Sequence, residues 1–436
     1  MRRAAQRIVE KLRLNGHEAF FAGGWVRDYL LRRKPKDIDI ATSARPDEVL
    51  QLFPKAIGIG AQFGVIQVRM YGHAYEIATF RSDSAYVDGR HPSSVSFSGP
   101  KQDALRRDFT INGLFYDPVA NRLIDYVHGR NDIQKKLIRT IGNPIERFGE
   151  DKLRMLRAIR LACCLDFRIV PESWEAIRNL APGILRVSWE RIRDELSKLL
   201  TGPDPAVGLD LLRESGLLKF ILPEVEAMSG VPNNATPSGV DVFAHTRAAL
   251  SLLRKPSFVL AFATLLHNAG KPPTYSLESD KCFDGHAKLG GKLTEQACRR
   301  LKMSNQEVDH VVDLVMAHWD FGQLLETRES RIRRLLRKPN FADHLELYRV
   351  VCMSSHRDLQ IYGQWLQKFE DYRHESAFTP FLTGEDLIEL GYKPGPIFRE
   401  ILQVVEDLQL DGELRTRDEA LRHIKINFPL AGKSQP

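Results

Sequence analysis

The chain has 436 residues, 43% hydrophobic and 27% charged, the proportions of a soluble globular protein with length for roughly two to four domains. Lysine and arginine outnumber aspartate and glutamate by 63 to 56, a net charge of +7 that favours a polyanionic partner. No apolar run approaches the roughly 20 residues of a bilayer span, which excludes a helical membrane protein. The five cysteines (Cys163, Cys164, Cys282, Cys298, Cys352) form no CxxC pair, so they read as reduced thiols in a cytoplasmic setting.

The opening MRRAAQRIVEKLRLNG reads as an amphipathic helix stopped by Gly16, with no apolar leader core. Ala19, Phe20, Phe21 and Ala22 read as a buried strand that ends at Gly23-Gly24. Val26 to Leu31 predicts a short helix carrying Arg27 and Asp28, and after a basic turn Asp37-Ile38-Asp39 begins a second strand. Side chains alternate along a strand, so Asp37 and Asp39 share one face and Ile38 and Ile40 the other. Adjacent carboxylates repel, and a divalent cation relieves that repulsion. Hard oxygen donors suit Mg²⁺, and a pair of such ions supports displacement at phosphorus. The glycine pair ahead of a helix start leaves backbone N–H groups open to a triphosphate, since glycine permits close approach and the helix dipole favours anions.

Pro46 to Phe53 predicts a helix with Ser43 as its cap. Two alternating runs, Gly64 to Tyr71 and Ala74 to Phe80, joined at Gly72-His73, predict a hairpin. Together these elements predict a small sheet with helices on one side and the two aspartates on its central strand. Glu76, in the second hairpin strand, is a candidate third carboxylate. Arg81 to Phe97 lacks apolar periodicity and reads as a long loop, a feature that is usually functional or disordered in a compact domain. Asp103 to Leu114 then carries Arg106-Arg107-Asp108, Thr110 and Asn112 ahead of an apolar run.

Beyond Arg139 the pattern turns helical. Pro144 to Arg160 sets Leu153, Leu156 and Ile159 at helical intervals beside a polar stripe of Asp151, Arg154, Arg157 and Arg160. That stripe fits a solvated face with an Asp–Arg pair, and it fits a binding surface. Ser188 to Leu200 opens on a capping-box pattern with Arg191 in place of the usual acid, and Pro203-Asp204-Pro205 breaks the chain. The rest is mostly helix, with joints at Val231 to Gly239 and Lys271 to Pro273. The basic stretch Arg328 to Lys338 fits an RNA backbone and a charge-laced solvent face equally.

GGWVRDYLLRRKPKDIDIAT resembles the first motif of the class II tRNA nucleotidyltransferase (CCA-adding) and bacterial poly(A) polymerase family, within the DNA polymerase β-like nucleotidyltransferase superfamily. Four further motifs carry the resemblance densely as far as Leu200. It implies an α+β fold with a nucleotidyltransferase head at 1–140, a helical neck at 141–202 that selects the nucleotide and binds RNA, and a helical body and tail at 203–436. Asp37 and Asp39 would be the catalytic metal ligands for two Mg²⁺ ions. Superfamily members commonly have a third acid, the place open to Glu76. Gly23, Gly24, Arg27, Arg107, Asp108 and Asn112 would bind the sugar and triphosphate of the nucleotide, and polar contacts to a 2′-OH distinguish RNA substrates from DNA.

Glu150-Asp151-Lys152-Leu153-Arg154 matches the family's EDxxR, whose Asp and Arg read the base edge of the incoming nucleotide. C and A both present an exocyclic amine there, and U and G do not present it in the same place. Arg157 and Arg160 are then candidates for phosphate contacts. Asp125, Gly129 and Asp132 match the third motif, at the joint of head and neck. Glu190 and Arg193 fall in the fifth, where they would support the preceding helix. Arg81, Asp83, Tyr86, Asp88, Arg90 and Pro92 resemble the flexible loop of complete CCA-adding and A-adding enzymes, and its full length argues against a CC-only activity.

His245, His267, His286 and His318, with the run LLHNAGKP, resemble the remnants of an HD-type phosphohydrolase at about 240–330. HD needs an aspartate where this chain has Asn268, a neutral amide and a poor ligand, so these histidines are not assigned as metal ligands. The expected activity is template-independent nucleotide addition to an RNA 3′ end, CCA or its terminal A on tRNA from CTP and ATP. No membrane and no obligatory protein partner enter that expectation. Poly(A) polymerase, which shares the general form of all five motifs, stays as the alternative, and enzymes that add only A are a third reading. An idle RNA-binding protein is opposed by the intact DxD, and a phosphohydrolase by Asn268. No motif marks the body and tail residues that touch RNA.

Overall fold

Ala5, Ile8, Val9 and Leu12 recur at helical spacing in α1 (Arg2–Leu14), and this apolar stripe is buried. The computed structural model describes residues 1–35, 37–60, 64–83, 95–233, 240–275, 283–318, 321–374 and 378–430. Lys36, Cys282, the loop residues Tyr86, Asp88, Arg90 and Pro92, and 234–239 of the joint before Val240 lie outside them.

After α1 come β1 (Ala19–Ala22), α2 (Gly24–Leu30), β2 (Asp39–Thr42), α3 (Pro46–Leu52), β3 (Ile57–Gly60), β4 (Val65–Met70) and β5 (His73–Thr79). β6 (Arg81–Asp83) and β7 (Val95–Phe97) form a separate ribbon, followed by α4 (Pro100–Leu105), a short 3₁₀ turn at Thr110–Asn112, β8 (Leu114–Asp117), β9 (Arg122–Asp125) and α5 (Gly129–Gln134). The seven-stranded sheet runs β3-β4-β5-β2-β1-β8-β9, so β2 is its middle strand. β2 pairs parallel with β5 and antiparallel with β1, which makes the sheet mixed. β1 is buried along its whole length, as a strand at the centre of a covered sheet requires.

Three local expectations change. β2 begins at Asp39, so Asp37 precedes the strand and is exposed, while Ile38 between them is buried. Ser43 does not cap α3: its Oγ accepts from the Glu18 N–H at 2.9 Å, and Glu48 instead folds back to accept from the Arg45 N–H at 2.7 Å. The β4–β5 turn falls at Tyr71-Gly72, both with positive φ (49° and 77°), with Met70 paired to His73. Two left-handed residues in a row are what a tight antiparallel hairpin demands.

β10 (Leu137–Ile138) leads into α6 (Pro144–Glu150), capped by Asn143, whose Oδ1 accepts from the Ile145 N–H at 2.9 Å. α7 (Leu153–Leu165), β11 (Arg168–Ile169), α8 (Pro171–Leu180) and α9 (Trp189–Leu200) follow. β10 and β11 pair in parallel, so the segment beyond residue 140 is not wholly helical. The single helix expected over Pro144 to Arg160 is broken at Asp151, whose backbone is extended (φ −143°, ψ 105°). The Asp151 side chain caps the second piece, Oδ1 accepting from the Leu153 N–H at 3.0 Å.

The chain divides into two compact units, Met1–Glu226 with Arg300–Lys302, and Ala227–Arg299 with Met303–Pro436. The second unit is helical. One of its apolar clusters surrounds Phe321, Phe341 and the fully buried Trp365, and another surrounds Leu387, Ile401, Val405 and Ile424. No helix among the described residues is long and apolar enough to cross a membrane.

Candidate active site

The parallel register Ile40↔Ile77 between β2 and β5 sets Glu76 level with Asp39 on neighbouring strands. The antiparallel register of β1 sets Ala22 opposite Asp39, which brings Gly23 to the same end of the sheet. Burial first, then the negative charges of Asp37 and Glu76, raise the Asp39 carboxyl to about 6 against the pull of Arg107. Asp37 and Glu76 are both exposed. Among the described residues no three acidic, histidine or cysteine side chains already converge on one point as metal ligands do. The three carboxylates are linked through their charge, and a cation is the species that charge favours.

A cleft of about 310 Å³ opens beside them. Asp39 and Glu76 line it from the sheet, Arg106, Arg107, Asp108 and Asn112 from the turn after α4, and Asp151, Arg154 and Arg157 from α7 and its approach. Thus Asp39, Glu76, the RRD triplet and most of the polar stripe meet in one place, while Asp37 does not line it. Arg160 does not line the cleft.

Gly23 has φ +66°, and a Cβ built there would lie 3.2 Å from Arg107 Nη1 and 3.7 Å from Asp39 Oδ2. Glycine is therefore needed for its conformation and for room. A Cβ on Gly24 would lie 3.5 Å from Arg27 Nη2. Arg27 donates from Nε to Asp28 Oδ1 at 2.9 Å and from Nη1 to Asn112 Oδ1 at 2.7 Å. The Asn112 amide donates to Asp108 Oδ1 at 3.1 Å, and Arg157 Nη1 to Asp108 Oδ2 at 3.1 Å. Burial works to raise the Asp108 carboxyl, but Arg157, Asn112 and the Phe109 N–H together hold it below the ordinary range. A continuous polar chain thus joins α2, the 3₁₀ turn and α7.

Residues outside the predicted set hold these groups. Asp103, almost fully buried, accepts from Arg106 Nη2 at 2.6 Å and from Arg107 Nη2 at 2.9 Å. The Arg107 guanidinium also packs 4.9 Å from the Phe115 ring centroid. Asp103 sits three and four residues before its partners, a spacing visible in the sequence. Glu195, buried on α9, accepts from Arg160 and stands 3.5 Å from Arg157 Nε. Arg191, one turn earlier on α9, grips Asp151 with both Nη atoms, at 3.2 and 2.7 Å. Arg154 donates to the Arg147 carbonyl at 2.9 Å and to Glu150.

The expected helpers on α9 were Glu190 and Arg193; instead Glu190 is exposed and Arg193 donates to the Lys302 carbonyl. The phase of the buried Ile192, Leu196 and Leu199 explains the difference, since Arg191 and Glu195 flank that stripe. Ser188 makes no side-chain capping bond.

In the second unit His245, His267, His286 and His318 cluster. His245 and His267 approach to 3.4 Å between Nε2 atoms, and ring centroids lie 5.3 Å apart for His267–His318 and 5.7 Å for His286–His318. Burial holds all four imidazoles below the ordinary range, His245 at about 4 and His318 at about 3, and lowers the Lys271 ammonium to about 8. His267 Nδ1 donates to the Thr264 carbonyl at 2.7 Å, so Nε2 accepts, and the Asn268 amide meets it at 2.7 Å. Lys271 donates to Asn233 Oδ1 at 3.0 Å.

Residues 19–139 match the profile described as "Poly A polymerase head domain", and residues 166–228 that described as "Probable RNA and SrmB- binding site of polymerase A". The chain is 31% identical over 416 residues to the CCA-adding enzyme of Bacillus licheniformis, covering 95% of each chain. It is 33% identical over 426 residues to that of Lactococcus lactis, covering 96% of this chain and 95% of the relative. Among solved structures, the Bacillus stearothermophilus CCA-adding enzyme in complex with CTP matches with a TM-score of 0.73 and 28% identity, covering 97% of this chain and 98% of that one. Full-length identity and a shared fold lead to one conclusion: the chain belongs to the CCA-adding enzyme family of nucleotidyltransferases.

Proposed function

We propose that this chain completes the CCA end of tRNA, adding nucleotides from CTP and ATP to the RNA 3′ end without a nucleic-acid template, in the cytoplasm and with no obligatory protein partner. The full-length relatives are CCA-adding enzymes. The observation that carries the mechanism is the cleft of about 310 Å³ that Asp39 and Glu76 of the sheet line together with Asp151 and Arg154. In this reading 1–140 is the head, 141–202 the neck, and 203–436 the body and tail.

Asp37 and Asp39, with Glu76 beside them, are the residues that would hold Mg²⁺: hard anionic oxygens whose mutual repulsion a cation removes. When bound, two such ions supply activation of the attacking 3′-OH and neutralisation of the leaving pyrophosphate. Gly23 and Gly24 leave the backbone open to the triphosphate, with Arg27, Arg107 and Asn112 beside it. Asp108 keeps Asn112 and Arg157 in place. Asp151 accepts from the exocyclic amine of the base, and Arg154 donates to its ring edge. Arg157 answers phosphate charge. Arg160, bound to Glu195, braces α7 from behind. Positioning and charge neutralisation supply the rate enhancement, with no covalent intermediate on the protein.

Incubation with tRNAs ending before CCA, after C and after CC, with each nucleotide supplied separately, tests the reading. Two C and one A in that order are expected. Long A tails on any RNA would establish poly(A) polymerase instead, and A alone on tRNA ending in CC an A-adding enzyme.

A further inference from the structure

Around the cleft Arg147, Arg154, Arg157, Arg160 and Arg191 each meet a carboxylate. Lys152 and Arg186 do not: among the described residues neither has a partner of opposite charge. Lys152 stands just ahead of α7, whose first turn carries no acid. A cation there works against the helix dipole, so the charge adds nothing to the stability of α7.

Arg186 ends a 3₁₀ turn, Ala181–Arg186, and Gly183 lies three residues before it. Side chains three apart eclipse in a 3₁₀ helix, so Gly183 and Arg186 share one side of the turn. The Lys152 stem runs over that side: a Cβ built on Gly183 would lie 3.0 Å from Lys152 Cε and 3.1 Å from Cδ. Glycine thus leaves the room in which the stem is seated. Burial first, and then the charge of Arg186, hold the Lys152 ammonium below its ordinary range. Two like charges set side by side repel until an anion comes between them, the reverse of the acids on the sheet.

Asp151 lines the cleft, whereas Lys152 and Arg186 do not, so their charge borders the nucleotide's place without entering it. An RNA whose 3′-OH enters the cleft continues outside it as a chain of charged phosphodiesters. The guanidinium fork suits the two free oxygens of one phosphodiester, and the ammonium adds a movable point charge.

We propose that Lys152 and Arg186 form a phosphate clamp for the 3′-terminal strand of the RNA substrate, beside the base-reading Asp151. The proposal rests on the reading of this chain as an RNA 3′-end nucleotidyltransferase and adds a place where the RNA backbone is held.

The test uses the full-length protein with Lys152→Gln, Arg186→Gln and the double variant. KM for tRNA ending before CCA is measured at saturating CTP, and KM for CTP at saturating tRNA. Binding of the same tRNA is followed across a range of salt concentrations, with thermal unfolding alongside. The double variant is expected to raise KM for tRNA by about 5- to 30-fold, the worth of two exposed ion pairs. Its plot of log affinity against log salt should be less steep by about 1.4, twice the value for one single-strand phosphate. KM for CTP, the preference for CTP over UTP and kcat should hold, and the unfolding temperature should not fall, because a repulsion has been removed. A rise in KM for CTP with tRNA binding unchanged would give the pair to the triphosphate and overturn the proposal. So would an unchanged salt slope, or a loss of tRNA affinity that follows a fall in unfolding temperature. Should the unaltered protein add nothing to tRNA, the functional reading fails, and the salt slope still decides on the clamp.

Discussion

Arg157 Nη1 on α7 donates to Asp108 Oδ2 at 3.1 Å, while its Nε faces Glu195 on α9 at 3.5 Å. One guanidinium therefore ties the turn after α4 to α7 and α9 at the wall of the cleft. Removing one partner leaves the other charge without its match, which costs more than the pair gains.

Asp108→Ala is expected to lower the unfolding free energy by about 2–3 kcal/mol, the scale of lost charge-assisted hydrogen bonds. Arg157→Ala should behave alike, and the double variant should cost less than the sum of the two. Urea unfolding checks this. Full additivity would mean that the two side chains do not act together.

Asp39 gives a pH signature. Its carboxyl is raised from 3.8 to about 6 by burial and by Asp37 and Glu76. The native state thus holds this proton longer than the unfolded chain, and stability falls as pH rises from about 4 to about 6. Below that window the ionised group costs nothing; above it the cost is complete. Without divalent cations, Asp39→Asn should therefore stabilise the protein at pH 7.5 by about 1–3 kcal/mol, an advantage that disappears below pH 4. Mg²⁺ should raise the unfolding temperature of the unaltered chain and not that of the variant. A variant less stable at pH 7.5 would mean that the carboxylates do not strain the site.

Gly23→Ala combines a left-handed φ with a Cβ placed 3.2 Å from Arg107. We expect a stability loss of about 1–2 kcal/mol, the cost of a side chain at positive φ. Addition should slow by about a hundredfold as Arg107 is displaced. Near-normal kinetics for all four nucleotides would show that Arg107 has room to move.

The body makes a separate prediction. The full-length protein should hydrolyse neither 2′,3′-cyclic nucleotides nor phosphomonoesters with Mg²⁺, Mn²⁺ or Ni²⁺, because a neutral amide at Asn268 meets His267 where HD has an acid. His267→Ala should leave nucleotide addition unchanged. Robust hydrolysis lost in that variant would contradict this.

Much of the site was legible because it is local. The turn at Gly23-Gly24 follows from glycine conformation, and Asp39 from the strand pattern, whereas strand alternation did not foresee that Asp37 precedes β2. The stripe on α7 was legible as a period, but its break at Asp151 was not, because the side chain that caps α7 and its partner Arg191 are 40 residues apart in sequence. Glu195 escaped for the same reason: a buried acid is identified by the arginines that meet it, and two of those lie on another helix. The Ser43 cap failed through competition, since the backbone of Glu18 claims that hydroxyl. Tertiary contacts, not local propensity, decided each of these.

The most direct test of the account is nucleotide addition by Asp37→Ala and Asp39→Ala, measured with CTP and ATP on tRNA lacking its CCA end, Mg²⁺ as the only divalent metal and circular dichroism to verify the fold. The account predicts that both variants fold and that neither adds a nucleotide. Near-normal turnover by either one would contradict it.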